Sequence, residues 1–148
     1  MIVRKIGEII ENAGIATFAT NLYAYGFKED FDNAACLFPE TGAVQPYQSD
    51  YSSDWVGLQV ITRGFGEAPE EMAWDIHNAI SGLYSLQFDD LVLSQTSIQN
   101  VPAYFDTDEK GRLKFTAHYM YLIAQREHNN RIPLLFETFD ETFDDTFA

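Results

Sequence analysis

The sequence has 148 residues and a mass of 16.9 kDa, which is the size of a single domain. Hydrophobic residues make up 46% and charged residues 22% of the chain, with 9 Gly and 1 Cys, and this composition excludes a fully disordered chain, a collagen-like chain and a disulfide scaffold. The net charge of −14, from 23 acidic and 9 basic residues, argues against sequence-independent binding of nucleic acid and against docking on an anionic membrane.

The chain begins with a predicted amphipathic helix. Apolar residues recur at helical spacing over residues 3–13, and Gly14 follows as a helix stop. Residues 15–38 are rich in aromatic side chains but have no clear period. We therefore expect a loop or short helix there, leading into a short strand at 34–37.

The middle of the chain contains the clearest strand signal. A turn is predicted at 39–42, followed by a polar and aromatic surface loop at 45–54. Residues 55–63 then alternate with a period of two, which predicts a strand with one fully apolar face. The apolar face carries Val56, Leu58 and Val60.

A second helix is predicted over residues 69–84. Pro69 suits the first helical position, and Glu70 and Glu71 suit the positive end of the helix dipole. The predicted buried stripe consists of Met72, Ile76, Ala79, Ile80 and Leu83.

Two further strands complete the predicted fold. One spans about 88–96 and is followed by a connection that contains Pro102; the other spans 113–124 with a strict period of two. The pattern predicts an α+β domain whose small mixed, largely antiparallel sheet is covered on one face by the two helices. The face predicted to be buried on the last strand carries Leu113, Phe115, Ala117, Tyr119, Tyr121 and Ile123.

The end of the chain differs in composition from the rest. We divide the sequence into an α+β domain at 1–128 and an acidic, Thr-Phe-rich extension at 129–148. The extension is either a frayed terminus or a linear motif that docks its Phe side chains on a partner. The candidate docking residues are Phe136, Phe139, Phe143 and Phe147.

No catalytic, metal-binding or cofactor-binding set is recognisable in the sequence. The run from Asp106 to Gly111 resembles half of a calcium loop, but Lys110 stands at the fifth position and Ala117 replaces the bidentate Glu, which favours a polar turn. Cys36 lies in an apolar context typical of a buried small hydrophobe. The three histidines are not spaced as metal pairs and are expected to be surface or hydrogen-bonded residues: His77, His118 and His128.

Several fragments, taken in this order, resemble the small tail-terminator and minor-capsid proteins of long-tailed bacteriophages. They are Asn21-Leu22-Tyr23 with Gly26, the segment 36–42 ending in Glu-Thr-Gly, the apolar strand 58–64 with Arg63 near its end, and the run 102–112 ending in Asp108-Glu-Lys-Gly111-Arg112. The resemblance spans residues 3–126. The sequence departs from this family in the length of the loop at 45–54 and in the acidic extension, which has no assignable counterpart. These departures leave the role at the neck open.

The resemblance implies a virion protein, made in the host cytoplasm, whose copies form a six-fold ring at the head-proximal end of the tail tube. Such a ring stops tube polymerisation and contacts the tail tube protein and the head connector, while DNA passes through its lumen without specific binding. A head-completion or adaptor protein of the neck is the alternative within this class. The acidic charge fits an acidic channel that repels phosphate.

Two hypotheses from other classes of protein remain open. An acidic cytosolic protein that mimics DNA would need acids spread over one face, whereas much of the charge here lies in turns and in the extension. An enzyme of unrecognised type has no supporting residues. The sequence has no apolar run of the ~18 residues that a membrane span needs, and its N-terminus lacks the pattern of a secretory signal. The lone Cys fits a reducing cytosol.

Overall fold

Two helices and six strands make up the part of the chain that the computed structural model describes, which is residues 2–29, 31–40, 53–88 and 91–125. In chain order they are α1 (Ile2–Asn12), β1 (Leu22–Ala24), β2 (Ala34–Glu40), β3 (Ser53–Gly64), α2 (Ala68–Ile80), β4 (Leu86–Gln87), β5 (Leu91–Thr107) and β6 (Leu113–Gln125).

The strands form one mixed sheet in the order β1-β2-β3-β6-β5-β4. The pair β1–β2 is parallel and the other pairs are antiparallel. The central pair joins β3 to β6 over its whole length, from Ser53 opposite Ala124 to Gly64 opposite Leu113. The predicted α+β fold with a largely antiparallel sheet is confirmed.

The hydrophobic core lies between the helices and one face of the sheet. The alternation predicted for the last strand is present in β6, where Phe115, Tyr119 and Tyr121 are buried. Their register partners on β3 include Leu58, which lies opposite Tyr119. The core cluster that contains Leu58, Tyr119 and Tyr121 also takes Ile6 and Ile10 from α1, and Ile76 and Ile80 from α2.

Helix α1 matches its prediction and is tied to the following loop by Phe18. The ring of Phe18 lies directly over Gly7, where any Cβ would collide with it, so a larger residue at this position would displace the loop. The backbone N–H of Phe18 also donates to the Glu11 carboxylate at 2.8 Å. Gly14 has a positive φ of 75°, a conformation that suits glycine at a helix end.

Helix α2 is shorter than predicted and is buried differently. It ends at Ile80 instead of residue 84, and Ser81 closes it by donating its N–H to the His77 carbonyl. Of the predicted stripe, Ile76 and Ile80 are buried. Met72, Ala79 and Leu83 are only half-buried, because the buried face is instead completed by Pro69, Ala73 and His77.

The predicted connection after residue 96 is wrong, because β5 continues as a strand to Thr107. Its pairing with β6 absorbs four register shifts, two of which flank Asn100 and precede Ala103. Pro102 lies inside this irregular stretch, where a missing backbone N–H is tolerated. The strand itself starts at Leu91, not at residue 88.

The predicted turn at 39–42 is also wrong for its first two residues. Pro39 and Glu40 belong to β2, where they pair with Leu58 and Gly57. Strand β1 covers only residues 35–37 of β2, so no strand from the described part of the chain pairs with the outer side of β2 at Pro39. Residues 41–52 lie outside the described residues, and 53–54 belong to β3 instead of a loop.

Candidate functional site

Among the described residues, no group of three or more His, Cys, Asp and Glu side chains is placed to hold a metal ion. Cys36 is fully buried, and this burial raises the pKa of its thiol to about 11. A thiol with this pKa stays protonated at neutral pH, so Cys36 lacks the thiolate that a nucleophile requires. No helix in the described ranges is long and apolar enough to cross a membrane.

The described histidines have separate structural partners. His77 is buried against the sheet, where its Nδ1 shares a hydrogen bond of 2.8 Å with the Tyr119 hydroxyl. Burial lowers the pKa of His77 and raises the pKa of Tyr119, so both groups remain neutral near pH 7. His118 lies on the other face of β6 and reaches the Glu40 carboxylate at 2.9 Å. His128 lies outside the described residues.

The most elaborate polar feature is an arginine cluster at the end of the sheet where β3 finishes and β6 starts. Its two guanidinium groups belong to Arg63 and Arg112, whose side chains are only 3% and 4% exposed. Arg112 contacts three carboxylates: Asp108 at 2.7 Å, Glu29 at 3.1 Å and Asp32 at 3.3 Å. Buried charges require this kind of complete pairing.

The turn before β6 holds Asp108 and Arg112 in position for this ion pair. One Asp108 oxygen accepts the backbone N–H groups of Lys110 and Arg112 at 3.0 and 2.9 Å, while the other oxygen accepts the Arg112 side chain. Gly111 supplies the positive φ of 83° that the turn needs. Burial opposes ionisation of Asp108, but the hydrogen bonds from Arg112 outweigh it and lower the pKa of this carboxyl. The structure has the predicted polar turn at residues 108–112, directly after the end of β5 at Thr107.

Arg63 fixes the loop between β1 and β2. Its Nη2 donates to the carbonyls of Lys28 and Phe31 at 3.0 and 2.7 Å. Its guanidinium also lies 4.3 Å from the centre of the Phe27 ring, which is cation–π geometry. The buried Arg63 side chain therefore holds the backbone of this loop in place at Lys28 and Phe31.

A cleft of about 500 Å³ opens beside the arginine cluster. Its lining contains four basic and four acidic side chains, so the charges balance and the cleft has no net preference for an anion. The acidic members are Glu29, Asp106, Asp108 and Glu109; the basic members are Arg63, Lys110, Arg112 and Lys114. The cluster is consequently better suited to holding the fold together than to binding a charged ligand.

Two apolar surfaces lie at opposite edges of the sheet. The first, the β5 row, consists of the exposed side chains of Ile98, Val101, Tyr104 and Phe105. The second, the α1–β1 groove, has a volume of about 360 Å³. It is lined by Val3, Arg4, Phe18, Ala24 and Tyr25.

Only some of the candidate residues named from the sequence lie in the part of the chain that the structure describes. Phe136, Phe139, Phe143 and Phe147 all lie outside the described residues, so their docking role stays a prediction. The motif residues Arg63, Asp108 and Arg112, by contrast, come together in one cluster. The β5 row was missed because its residues fall where the sequence predicted a connection; the alternation of apolar residues after Thr96 is obscured by bulges.

Comparison with known proteins gives a likeness in fold. No family model and no curated protein sequence matches this chain. Among solved structures, a chain from the structure titled "Virion of native gene transfer agent (GTA) particle" superposes with a TM-score of 0.59 at 9% sequence identity. The match covers 78% of this chain and 91% of that chain, so nearly the whole of the virion chain shares this fold.

Proposed function

We propose that this protein is a structural component of a phage-like virion, and specifically a tail terminator. Its copies form a ring, six-fold by analogy with the family it resembles, on the head-proximal end of a tail tube. The ring stops growth of the tube and presents a surface to the head connector. The observation that carries the proposal is the fold likeness to a chain of a gene transfer agent virion, which extends over 91% of that chain.

The arginine cluster adds independent support from the sequence. The residues that gave the resemblance to tail terminators include Arg63 at the end of an apolar strand and the run from Asp108 to Arg112. These two fragments are 49 positions apart between their arginines, yet they meet at one end of the sheet and fix the loop before β2. The fragments that carry the resemblance therefore include residues that hold the fold together, and such residues support a relationship in fold more strongly than residues scattered over the surface.

The charge of the chain fits a conduit for DNA. A ring built from protomers of net charge −14 would be strongly acidic as a whole. Because phosphate is repelled by such a surface, DNA would pass through without being bound. The protein would therefore work without catalysis, metal or cofactor.

The C-terminal extension is proposed as a docking segment. Residues 129–148 carry acidic and Phe side chains in alternation, which keeps them soluble until a pocket on a neighbouring subunit or ring is available. Phe136, Phe139, Phe143 and Phe147 would enter such pockets. Deleting residues 134–148 should leave the thermal melting of the domain unchanged and weaken attachment to tails; equal attachment of the truncated chain would reduce the segment to a frayed end.

The proposal is tested by measuring mass and placement. The full chain is analysed by native mass spectrometry, alone and with tubes of the tail tube protein encoded by the same genome, and the tubes are imaged by negative-stain electron microscopy. A terminator forms a ring of about six copies that caps one end of each tube. Binding to the head connector but not to tubes would replace the terminator by a neck adaptor. A persistent monomer that ignores both and binds a basic protein would overturn the virion role in favour of DNA mimicry.

A further inference from the structure

We infer that adjacent copies of this chain join head to tail, with the β5 row of one copy entering the α1–β1 groove of the next. This inference rests on the ring-forming function proposed above and names the two surfaces that would make the ring.

The β5 row leaves a large apolar surface in water. Ile98, Val101, Tyr104 and Phe105 are each between 46% and 55% exposed, and they fall within eight consecutive positions of one strand. Scattered apolar residues are normal on a protein surface, but four large ones within eight positions of one strand are typical of an interaction site.

The backbone of β5 is also open at the same place. Strand β4 pairs with β5 only at Val92 and Leu93, and Ser85 adds a hydrogen bond to the Ser94 carbonyl. Beyond Ser94, no strand in the described part of the chain pairs with the outer side of β5. Natural proteins usually protect such an edge or use it to bind another chain.

The α1–β1 groove has the complementary shape. Its volume of about 360 Å³ falls within the roughly 300–1,000 Å³ of pockets that hold small ligands, which leaves room for aromatic side chains. The wall formed by Phe18 is fixed by its contact with Gly7 and its bond to Glu11, so the groove is preformed. A preformed site loses little entropy when it is filled.

The rim of the groove contains a strained residue. Tyr25 has a positive φ of 69° while its side chain is 66% exposed. An aromatic residue in this conformation is unusual, and such strain tends to occur where a residue is held for a function. The bond from the Tyr25 N–H to the Leu37 carbonyl, at 3.0 Å, holds the backbone there.

The charges beside the two surfaces are opposite in sign. Arg4 lines the groove with its side chain 80% exposed, and its ion pair with Glu8 is long, at 3.6 Å. Asp106 follows Phe105 on β5 and is exposed. In a chain with 23 acidic and 9 basic residues, a basic side chain at the groove and an acidic one beside the row favour contact between unlike edges over contact between like edges.

The positions of the two surfaces match a ring. Strand β1 is at one edge of the sheet, and β5 with its short partner β4 is at the other. Contact between two different surfaces of identical subunits is heterologous, and it produces a closed ring when the rotation between neighbours closes. A second copy is therefore the occupant that accounts for both surfaces at once.

The first test uses a matched pair of aromatic variants in the full chain. Phe105 and Phe65 are 46% and 47% exposed, but only Phe105 belongs to the β5 row. Phe105→Ser should raise the dissociation constant for ring formation about tenfold or more, because it removes apolar surface from the interface. Phe65→Ser should assemble like the wild type. Sedimentation velocity measures assembly, and circular dichroism verifies that both variants melt like the wild type.

The second test reverses the charges. Arg4→Glu and Asp106→Arg should each weaken assembly about tenfold, and the double variant should recover it to within about threefold, since every interface then contains the reversed pair. Single variants that weaken assembly without recovery in the double variant would overturn the proposed pairing of the two edges.

The outcomes separate this inference from the proposed function. If the wild type forms rings on tail tubes and Phe105→Ser and Arg4→Glu form them equally well, the terminator role stands and the interface inferred here is wrong. If removal of residues 134–148 abolishes rings while Phe105→Ser does not, the acidic extension is the occupant and the inference is also wrong. A wild type that stays monomeric with tubes present would overturn both.

Discussion

The arginine cluster and the β5 row lie in the same sheet, but they differ in what is buried. At the cluster, the charged side chains of Arg63 and Arg112 are almost completely buried and are paired with carboxylates and carbonyls of the same chain. On β5, apolar side chains such as Tyr104 and Phe105 are about half exposed. The cluster satisfies its charges within one chain, whereas the row gains stability only when a partner covers it. The difference separates residues that maintain the fold from residues available for assembly.

The largest loss of stability is expected from substitutions in the hydrophobic core of the sheet that carries both the arginine cluster and the β5 row. Changing Leu58, Val60 or Phe115 to Asp places an unpaired charge against the buried face of the sheet, which costs several kcal/mol and should unfold the domain. Circular dichroism during thermal melting is the measurement. Unchanged melting at any two of these positions would show that the helix-covered face is not the core.

A smaller loss of stability is expected at the cluster. Arg112→Met removes the partner of three carboxylates and should lower the free energy of unfolding by about 2 kcal/mol. This is below the ~3–5 kcal/mol typical of a broken buried pair, because Glu29 and Asp32 keep access to water. Urea unfolding measures the change, with Lys28→Ala as an exposed control that should change stability by less than about 0.5 kcal/mol. Equal effects of the two substitutions would mean that the cluster has no special role.

Low pH should reduce the stability of the protein through the pairing of Asp108 with Arg112. The pKa of Asp108 is lowered in the folded state, so its contribution to stability is present above its unfolded pKa and is lost as the pH falls through the lower folded value. The wild type should therefore lose stability as the pH falls from about 4, the ordinary pKa of Asp. Arg112→Met should lose less over the same interval, as measured by urea unfolding at pH 5 and pH 3. Parallel losses in both proteins would assign the acid sensitivity to other groups.

The smallest effect on stability is expected at the β5 row. Phe105→Ser should change the free energy of unfolding by less than about 0.5 kcal/mol, since the side chain is exposed in the single chain. Its effect should appear only in assembly. A clear drop in the melting temperature of the Phe105→Ser monomer would show that Phe105 stabilises the fold, as the arginine cluster does, instead of being available for assembly.

The sequence predicted the elements whose patterns are regular. Helix α1 and strand β6 have clean periods, and most of their predicted apolar faces are buried, including Tyr119 and Tyr121. Leu113 at the start of β6 and Ile9 in α1 are only half-buried. Strand β5 was truncated in the prediction because Pro102 and the bulges break its alternation. The three-residue strand β1 and the two-residue strand β4 are too short to carry a period.

The candidate sites were less predictable for a physical reason. The cluster depends on pairing between β3 and β6, which places Arg63 opposite Lys114 and brings Arg112 beside Asp32, 80 positions away in sequence. No local pattern encodes such a contact. The openness of the β5 edge likewise depends on how short β4 is, and the groove depends on Phe18 packing over Gly7.

The long-range pairing of β3 with β6 has a kinetic consequence. Ser53 pairs with Ala124, 71 positions later, so the two central strands meet only after a large loop has closed. Folds dominated by such distant pairings cross a high entropic barrier and reach the native state in milliseconds to seconds, slower than helical bundles. The β3–β6 pair joins the half of the sheet that carries the α1–β1 groove to the half that carries the β5 row, so one subunit presents both surfaces in their final geometry only after that slow step. Subunits would then recognise each other only once they have matured, and the rate at which new rings appear should be limited by the refolding of single chains when protein is abundant.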